Sequence, residues 1–312
     1  MSLKSAAADA RPSRAGAETP PGRRRRIRLG PLPWILPAVA LIAVVVIWPV
    51  ATMVETSFQR LGLDGYVRGS AGWSNYDNLF HESVFGHVLI WTVIWTVSVV
   101  ALTMLISLGL AALFNQRFPG RRVARWALIA PWAASVLMTA IGFRWMLNQT
   151  SGVLNRVMVD LGLIHSPEDW LGKPSTAWPW MIFVAIFVSL PFTTYTLLAG
   201  LQTIPADVHE AAKIDGAGNF QAYLRITLPL LRPAFLVGLV INLINVFNSF
   251  PVIWGMTEGG PNYGTATTTV FMYGLKSTSI GESAAMSVVN FVLVVLMVLV
   301  FLKVSRWNAE ED

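Results

Sequence analysis

The chain is 312 residues long, 54% hydrophobic and only 13% charged, against roughly 25% charged in an ordinary soluble domain. A mean hydropathy of +0.56, with thirteen Trp and sixteen Phe, excludes a water-soluble enzyme and indicates an integral membrane protein. The net charge of +6 could suit nucleic acid, but the positions of the basic residues assign it to membrane topology instead, and no nucleic-acid partner is expected.

Residues 1–30 are rich in Ala, Pro and Arg without apolar periodicity and read as a disordered basic tail. Beyond it lie six uncharged windows, 29–54, 88–116, 126–143, 174–206, 233–257 and 283–302. Each approaches or exceeds the ~20 residues that a membrane-crossing helix needs. The expected fold is therefore all-α and membrane-embedded, with six transmembrane helices in one unit over 31–305 and a short tail at 306–312.

Along the second window, Trp91 and Trp95 form an i, i+4 pair suited to helix packing or a lipid-facing surface, and Gly109 with Ala111-Ala112 suggests close helix approach. The third window is the shortest, with Arg125 and Arg144 at its ends. Trp34, Trp126, Trp145, Trp178 and Trp254 stand near window edges, where interfacial aromatics belong. The fourth window carries Ser189 and Phe192 beside Pro191. The fifth contains Asn242, Asn245, Asn248 and Ser249. On a straight helix, Asn245 and Ser249 fall within about 60° of Asn242 and Asn248 lies further round. Carboxamides within hydrocarbon need partners, so this stripe faces protein or a water-filled cavity.

Six spans place both termini on one side. Seventeen Lys and Arg lie on that side and six on the other, so the positive-inside rule puts both termini in the cytoplasm of a cell inner (plasma) membrane. All seventeen Asp and Glu fall outside the six windows, which argues against a proton relay within the spans. No G-x-x-x-x-G-K-[ST] loop is present. Active transport would then draw its energy from a partner chain. The four scattered His and the absence of Cys leave no metal-ligand spacing.

The other loops look polar and irregular, but the cytoplasmic segment 201–232 has helical order. Pro205 can open a helix through Asp207, Glu210, Ala211, Ala212 and Lys213, and Gly216 breaks it. A second short helix then carries Phe220, Tyr223 and Leu224 on one face, with Pro229 and Pro233 ending it. Such a helix–Gly–helix knob is either a docking element or an amphipathic surface helix.

Glu210-Ala211-Ala212, Gly216 and Ile226-x-Leu228-Pro229 resemble, position by position, the EAA loop of ABC-importer permeases. Asp215-Gly216-Ala217 and Pro233 match the sugar-importer version, and Thr257-x-Gly259-Gly260-Pro261 is similar to the T-x-G-G-P of the maltose- and glycerol-phosphate-type first permease. Where that type often has Phe-Asp, this chain has Phe247-Asn248. The resemblance implies a permease half of an importer for a sugar or polyol, performing no bond chemistry. It implies a second permease, a cytoplasmic ATPase dimer holding ATP and Mg, and an extracytoplasmic binding protein received by loops 56–85, 148–173 and 258–282. Glu210, Ala211, Ala212, Asp215 and Gly216 would couple to the ATPase. Asn242, Asn245, Ser249, Ser189 and Phe192 would contact substrate. A stand-alone carrier or channel is the alternative reading.

Overall fold

The computed structural model describes residues 32–307. The expected tails, 1–30 and most of 306–312, lie outside the described residues. The chain divides between Pro49 and Val50. In the first part, α1 (Leu32–Ile42) passes through a π-helical turn at Ala43–Ile47 into the first residues of α2 (Trp48–Ser57), the rest of which belongs to the second part. Side chains from Trp34 to Trp48 are exposed and almost wholly apolar, as a helix solvated by hydrocarbon must be.

After α2, a hairpin of β1 (Gln59–Leu61) and β2 (Val67–Ser70) pairs antiparallel, Gln59 opposite Ser70 and Leu61 opposite Val67. There follow α3 (Ser74–His81), α4 (Phe85–Asn115), α5 (Arg121–Ala133), α6 (Val136–Met146) and α7 (Val153–Asp160). Next come α8 (Pro174–Gln202), α9 (Ala206–Ile214), α10 (Asn219–Ala222), a π turn at Tyr223–Thr227 and α11 (Leu228–Leu230). The chain ends with α12 (Arg232–Phe247), α13 (Phe250–Thr257), α14 (Thr268–Leu275) and α15 (Ile280–Trp307).

Among the described residues, five helical stretches are long and apolar enough to cross a membrane: Trp34–Ser57, Phe85–Asn115, Pro174–Gln202, Arg232–Thr257 and Ile280–Lys303. The third expected span is not one continuous helix. Ala134 and Ser135 are extended (ψ 151° and 136°), which separates α5 from the shorter apolar α6. The fifth is also interrupted, at Asn248 and Ser249. Pro251, two residues on, has no N–H to continue the helical ladder. The Asn248 carboxamide donates to Ile244 O at 2.9 Å in part compensation.

Helix α8 is the centre of the second part and packs against α4, α12 and α5. Half of its apolar window is buried, against 17% for the peripheral α15. Trp95 is fully buried and donates to Val246 O at 3.1 Å, so α4 and α12 are joined by an aromatic and a hydrogen bond together. Trp91 stacks on Trp178 with centroids 4.6 Å apart and planes at 7°. The tryptophan pair is thus a packing device. Trp178 itself is 3% exposed and donates to Gly264 O, so it belongs to the core, contrary to its expected interfacial role. Trp254 is half-buried against Phe250 and Tyr273, whereas Trp34, Trp126 and Trp145 are exposed as expected.

Of the cluster expected to pack closely, Ala111 is fully buried but Gly109 is exposed, and the tightest glycine contacts lie elsewhere. A Cβ on Gly109 would meet nothing within 4 Å, while one on Gly200 would sit 2.3 Å from Ala234 Cβ. Only a glycine lets α8 and α12 meet there. Gly255 plays the same part between α13 and α6, where a Cβ would lie 2.8 Å from that of Ala140.

The segments between spans are more ordered than their polarity suggests. In the 148–173 loop the carboxamide of buried Asn155 donates to the carbonyls of Asn148, Gln149 and Glu168 and accepts from Glu168 N and Trp170 Nε1. After α13, Thr265 Oγ1 reaches both Thr257 Oγ1 (2.8 Å) and Gly260 O (2.7 Å). The Thr257–Pro261 motif is thereby closed on itself, with Glu258 and Gly259 both at positive φ. In the hairpin, Asp64 accepts from Tyr66 N and pairs with Arg68 at 3.0 Å. These hold its carboxyl below the ordinary range.

Candidate functional site

Two sites emerge from this framework. The first is a cavity of about 440 Å³ lined by residues of α8 and α12 and by both helix interruptions. Trp132 and Val136 flank the α5–α6 break; Asn248, Ser249, Pro251 and Val252 form the α12–α13 break. Helix interruptions at membrane depth are tolerated where they line a cavity, because freed backbone groups can be solvated there. All five expected substrate residues, Ser189, Phe192, Asn242, Asn245 and Ser249, line this one cavity.

Their surroundings differ. Asn242 is 3% exposed and its Nδ2 points to Thr193 Oγ1 at 3.4 Å, so much of its polarity is spent between α12 and α8. Thr193 in turn donates to Ser189 O at 3.0 Å. Asn245 is exposed, Ser249 half-buried and Phe192 37% exposed. These three present chemistry to the cavity.

Of the lining residues the sequence did not single out as substrate contacts, Asn248 and Trp132 add the most exposed chemistry. Asn248 falls off the Asn242 face of an ideal helix, but the break at 248–249 swings it into the lining. Trp132, 60% exposed, comes from a helix on which the sequence singled out no site residue. Its only sequence signal was Pro131 beside it in the shortest window. With Phe192 it gives the cavity two aromatic side chains to accompany its carboxamides.

The second site is the helix–Gly–helix knob of segment 201–232. Helix α9 ends in a Schellman motif: Ala217 N donates to Ala212 O (2.9 Å) and Gly216 N to Lys213 O (3.1 Å). That closure puts Gly216 at φ +78°, a conformation cheap only for glycine. Ala212 is buried beneath the turn, whereas Glu210, Ala211, Asp215 and Gly216 are exposed. The five motif residues therefore divide into one packing residue, one turn residue and three on the surface.

The expected face of Phe220, Tyr223 and Leu224 does not hold together. Phe220 (76% exposed) and Leu224 (45%) face outward, but Tyr223 turns in and its hydroxyl donates to Leu108 O at 3.3 Å. The π turn at Tyr223–Thr227 alters the 3.6-residue register and accounts for the split. Burial pushes the Tyr223 phenol above its usual range. The helix also continues past Pro229 to Leu230 before the turn at Leu231. Ile214 is 87% exposed as well, so the knob presents large apolar side chains at its surface.

Comparison with known proteins identifies the family. The family of binding-protein-dependent transport system inner membrane components matches residues 103–307. The chain belongs to this family. The permease is 39% identical over 273 residues to a probable ABC transporter permease protein of Brucella suis, covering 87% of this chain and 94% of that one. It is 34% identical to the trehalose/maltose transport system permease protein MalF of Thermococcus litoralis, covering 92% and 96%. Its fold matches a crystal structure of a bacterial ABC transporter that imports the acidic polysaccharide alginate, with TM-score 0.77 at 23% identity over 88% of this chain and 94% of that one. The permease is a multi-pass inner-membrane transport subunit that works with a binding protein, and it is not an enzyme.

Proposed function

We propose that this permease forms half of the translocation path of an ATP-driven importer for a sugar or related polyol. The cavity at the two helix interruptions carries the reading. Asn245, Asn248 and Ser249 offer paired donors and acceptors, and Phe192 and Trp132 offer aromatic faces. A sugar needs both kinds of group, hydrogen bonds for its hydroxyls and an apolar surface for its C–H face. The likeness to a trehalose/maltose permease supports the same class.

In this reading α5 and α6 together make a sixth, interrupted span, both termini are cytoplasmic, and residues 31–305 act as one permease body. A second permease completes the path. An ATPase pair, which holds the ATP and Mg, closes on Glu210, Ala211, Ala212, Asp215 and Gly216 with the matching loop of the second permease. That closure opens the cavity outward to the binding protein.

Glu210→Lys in the complete system tests the coupling. The expected result is normal insertion with loss of ATPase co-purification, or ATP turnover without uptake. Unchanged uptake would overturn it. Because the chain has no Cys, Asp64→Cys and Phe220→Cys give single labelling sites for orientation. Only Asp64→Cys should react with an impermeant maleimide added outside.

A further inference from the structure

We propose that the turn between α4 and α5 is a binding site for the headgroup of an anionic phospholipid. Arg117, Arg121, Arg122 and Arg125, with Phe118 and Gly120, line a concave surface of about 550 Å³. From residue 83 to residue 159 the sequence has no Asp or Glu, and among the described residues none of the four arginines pairs with a carboxylate. Positive charge gathered in one hollow without a counter-charge calls for an anion from outside the chain.

Two of the guanidiniums are held in place. Arg121 Nη1 donates to Gln116 O at 3.0 Å and Arg125 Nη2 to Phe114 O at 2.9 Å, both tied to the end of α4. Arg125 Nε is buried and without a partner among the described residues. Helix α5 opens at Gly120 with no side-chain cap and no acid in its first turn, so its positive dipole end adds to the same field. Guanidinium groups take phosphate oxygens through two parallel hydrogen bonds.

The apolar side of α5 identifies the source of the phosphate. At 100° per residue, Arg121, Arg122 and Arg125 share one arc of the helix, and Val123 and Trp126 lie outside it. Val123 is 73% exposed and Trp126 70%. A soluble phosphate would account for the arginines alone. A phospholipid would cover Val123 and Trp126 with its acyl chains while its headgroup met the arginines, the arrangement of an interfacial amphipathic helix. The site rests on the membrane assignment above but not on orientation, since a nanodisc offers both leaflets.

The test uses the complete importer in nanodiscs of equal phosphatidylcholine and phosphatidylglycerol, with retained lipid measured by mass spectrometry after mild delipidation. The native complex should enrich phosphatidylglycerol by about fivefold or more over the bulk. Arg117→Gln with Arg122→Gln should bring that ratio close to one. Arg117→Lys with Arg122→Lys keeps the charge that guides insertion and should retain only part of the enrichment, so it carries the test if the Gln pair fails to insert. Three results would overturn the site: no enrichment in the native complex, equal enrichment in native and Gln forms, or full enrichment with Lys. Inorganic phosphate that abolished the enrichment would overturn it too, in favour of a soluble anion. Loss of the ATPase from the Gln complex with lipid unchanged would reassign the arginines to protein contact.

Discussion

Arg144 Nη1 lies 2.8 Å from Glu258 Oε1, and this ion pair joins the end of α6 to the residue that terminates α13. The same two helices meet at Gly255 and Ala140 and bear the two interruptions that line the cavity. The pair thus closes the far end of the contact on which the cavity depends. Both side chains are about half exposed, so solvent screens them and their mutual stabilisation is of order 0.2–1 kcal/mol. A double-mutant cycle with Arg144→Met and Glu258→Gln, read by thermal unfolding of the solubilised complex, should return a coupling in that range. The charge swap, Arg144→Glu with Glu258→Arg, should restore most of what either single swap loses.

Gly200 and Gly109 make a matched pair on two neighbouring helices. Gly200→Ala places a methyl 2.3 Å from Ala234 Cβ and must push α8 and α12 apart. Overpacking of this kind costs about 1–3 kcal/mol. Gly109→Ala adds a methyl in open space within a helix and should be neutral or stabilise by up to about 1 kcal/mol. Melting temperatures of the two purified variants should move in opposite directions, or the Gly109 variant should not move at all.

Gly216 has open space about it, yet its φ of +78° makes it costly to replace. Its substitutions should therefore sort by dihedral preference and not by size. Gly216→Asn should be better tolerated than Gly216→Ala, and Gly216→Val worst, because β-branched side chains resist the left-handed region. The expected readout is a graded loss of ATPase recovery with each purified variant, Ala costing about 1–2 kcal/mol of local stability.

Asp64 supplies a pH dependence whose sign is fixed by the direction of its shift. Tyr66 N and the Arg68 guanidinium favour the ionised carboxyl and lower its pKa in the folded hairpin. The stabilisation is then present above the unfolded carboxylate pKa and lost as pH falls through the lower folded value. Hydrogen exchange over 59–70 should show protection that persists through mildly acidic pH and declines only in strong acid. Asp64→Asn should leave a weaker protection that no longer follows that titration.

Much of this arrangement was legible in the residues, and what was not has identifiable causes. Hydropathy located the long helices because uncharged apolar runs of 20 residues or more have few other uses, and the Schellman closure at Gly216 was visible in the helix formers before it. Interruptions were harder to see. Ideal helical periodicity assumes an unbroken ladder, so Asn248 was set aside although Pro251 stood three residues on, and the 126–143 window hid a break at Ala134 and Ser135. The register change at Tyr223 was invisible for the same reason. Gly109 and Gly200 show another limit: sequence marks where a backbone can approach closely, and only packing decides where it does.

Asn242 and Asn245 separate structure from binding on a single helix. Asn242 is buried and contacts Thr193 across the α8–α12 interface, so Asn242→Ala removes that bond while Thr193 keeps its own to Ser189 O, and should cost about 0.5–1.5 kcal/mol of stability. Asn245 is exposed in the cavity, so Asn245→Ala should leave the melting temperature within about 0.5 kcal/mol of the native protein. Its effect should fall on uptake: a lost hydrogen bond to a sugar hydroxyl is worth about 1 kcal/mol, or roughly fivefold in half-saturation. Phe192→Ala removes an aromatic face and should act similarly, while Phe192→Tyr should retain most activity. Uptake assays in proteoliposomes at several substrate concentrations, paired with melting curves, distinguish the two classes. If Asn245→Ala altered stability and left uptake untouched, the cavity would be a packing defect between interrupted helices and the substrate path would have to be sought elsewhere.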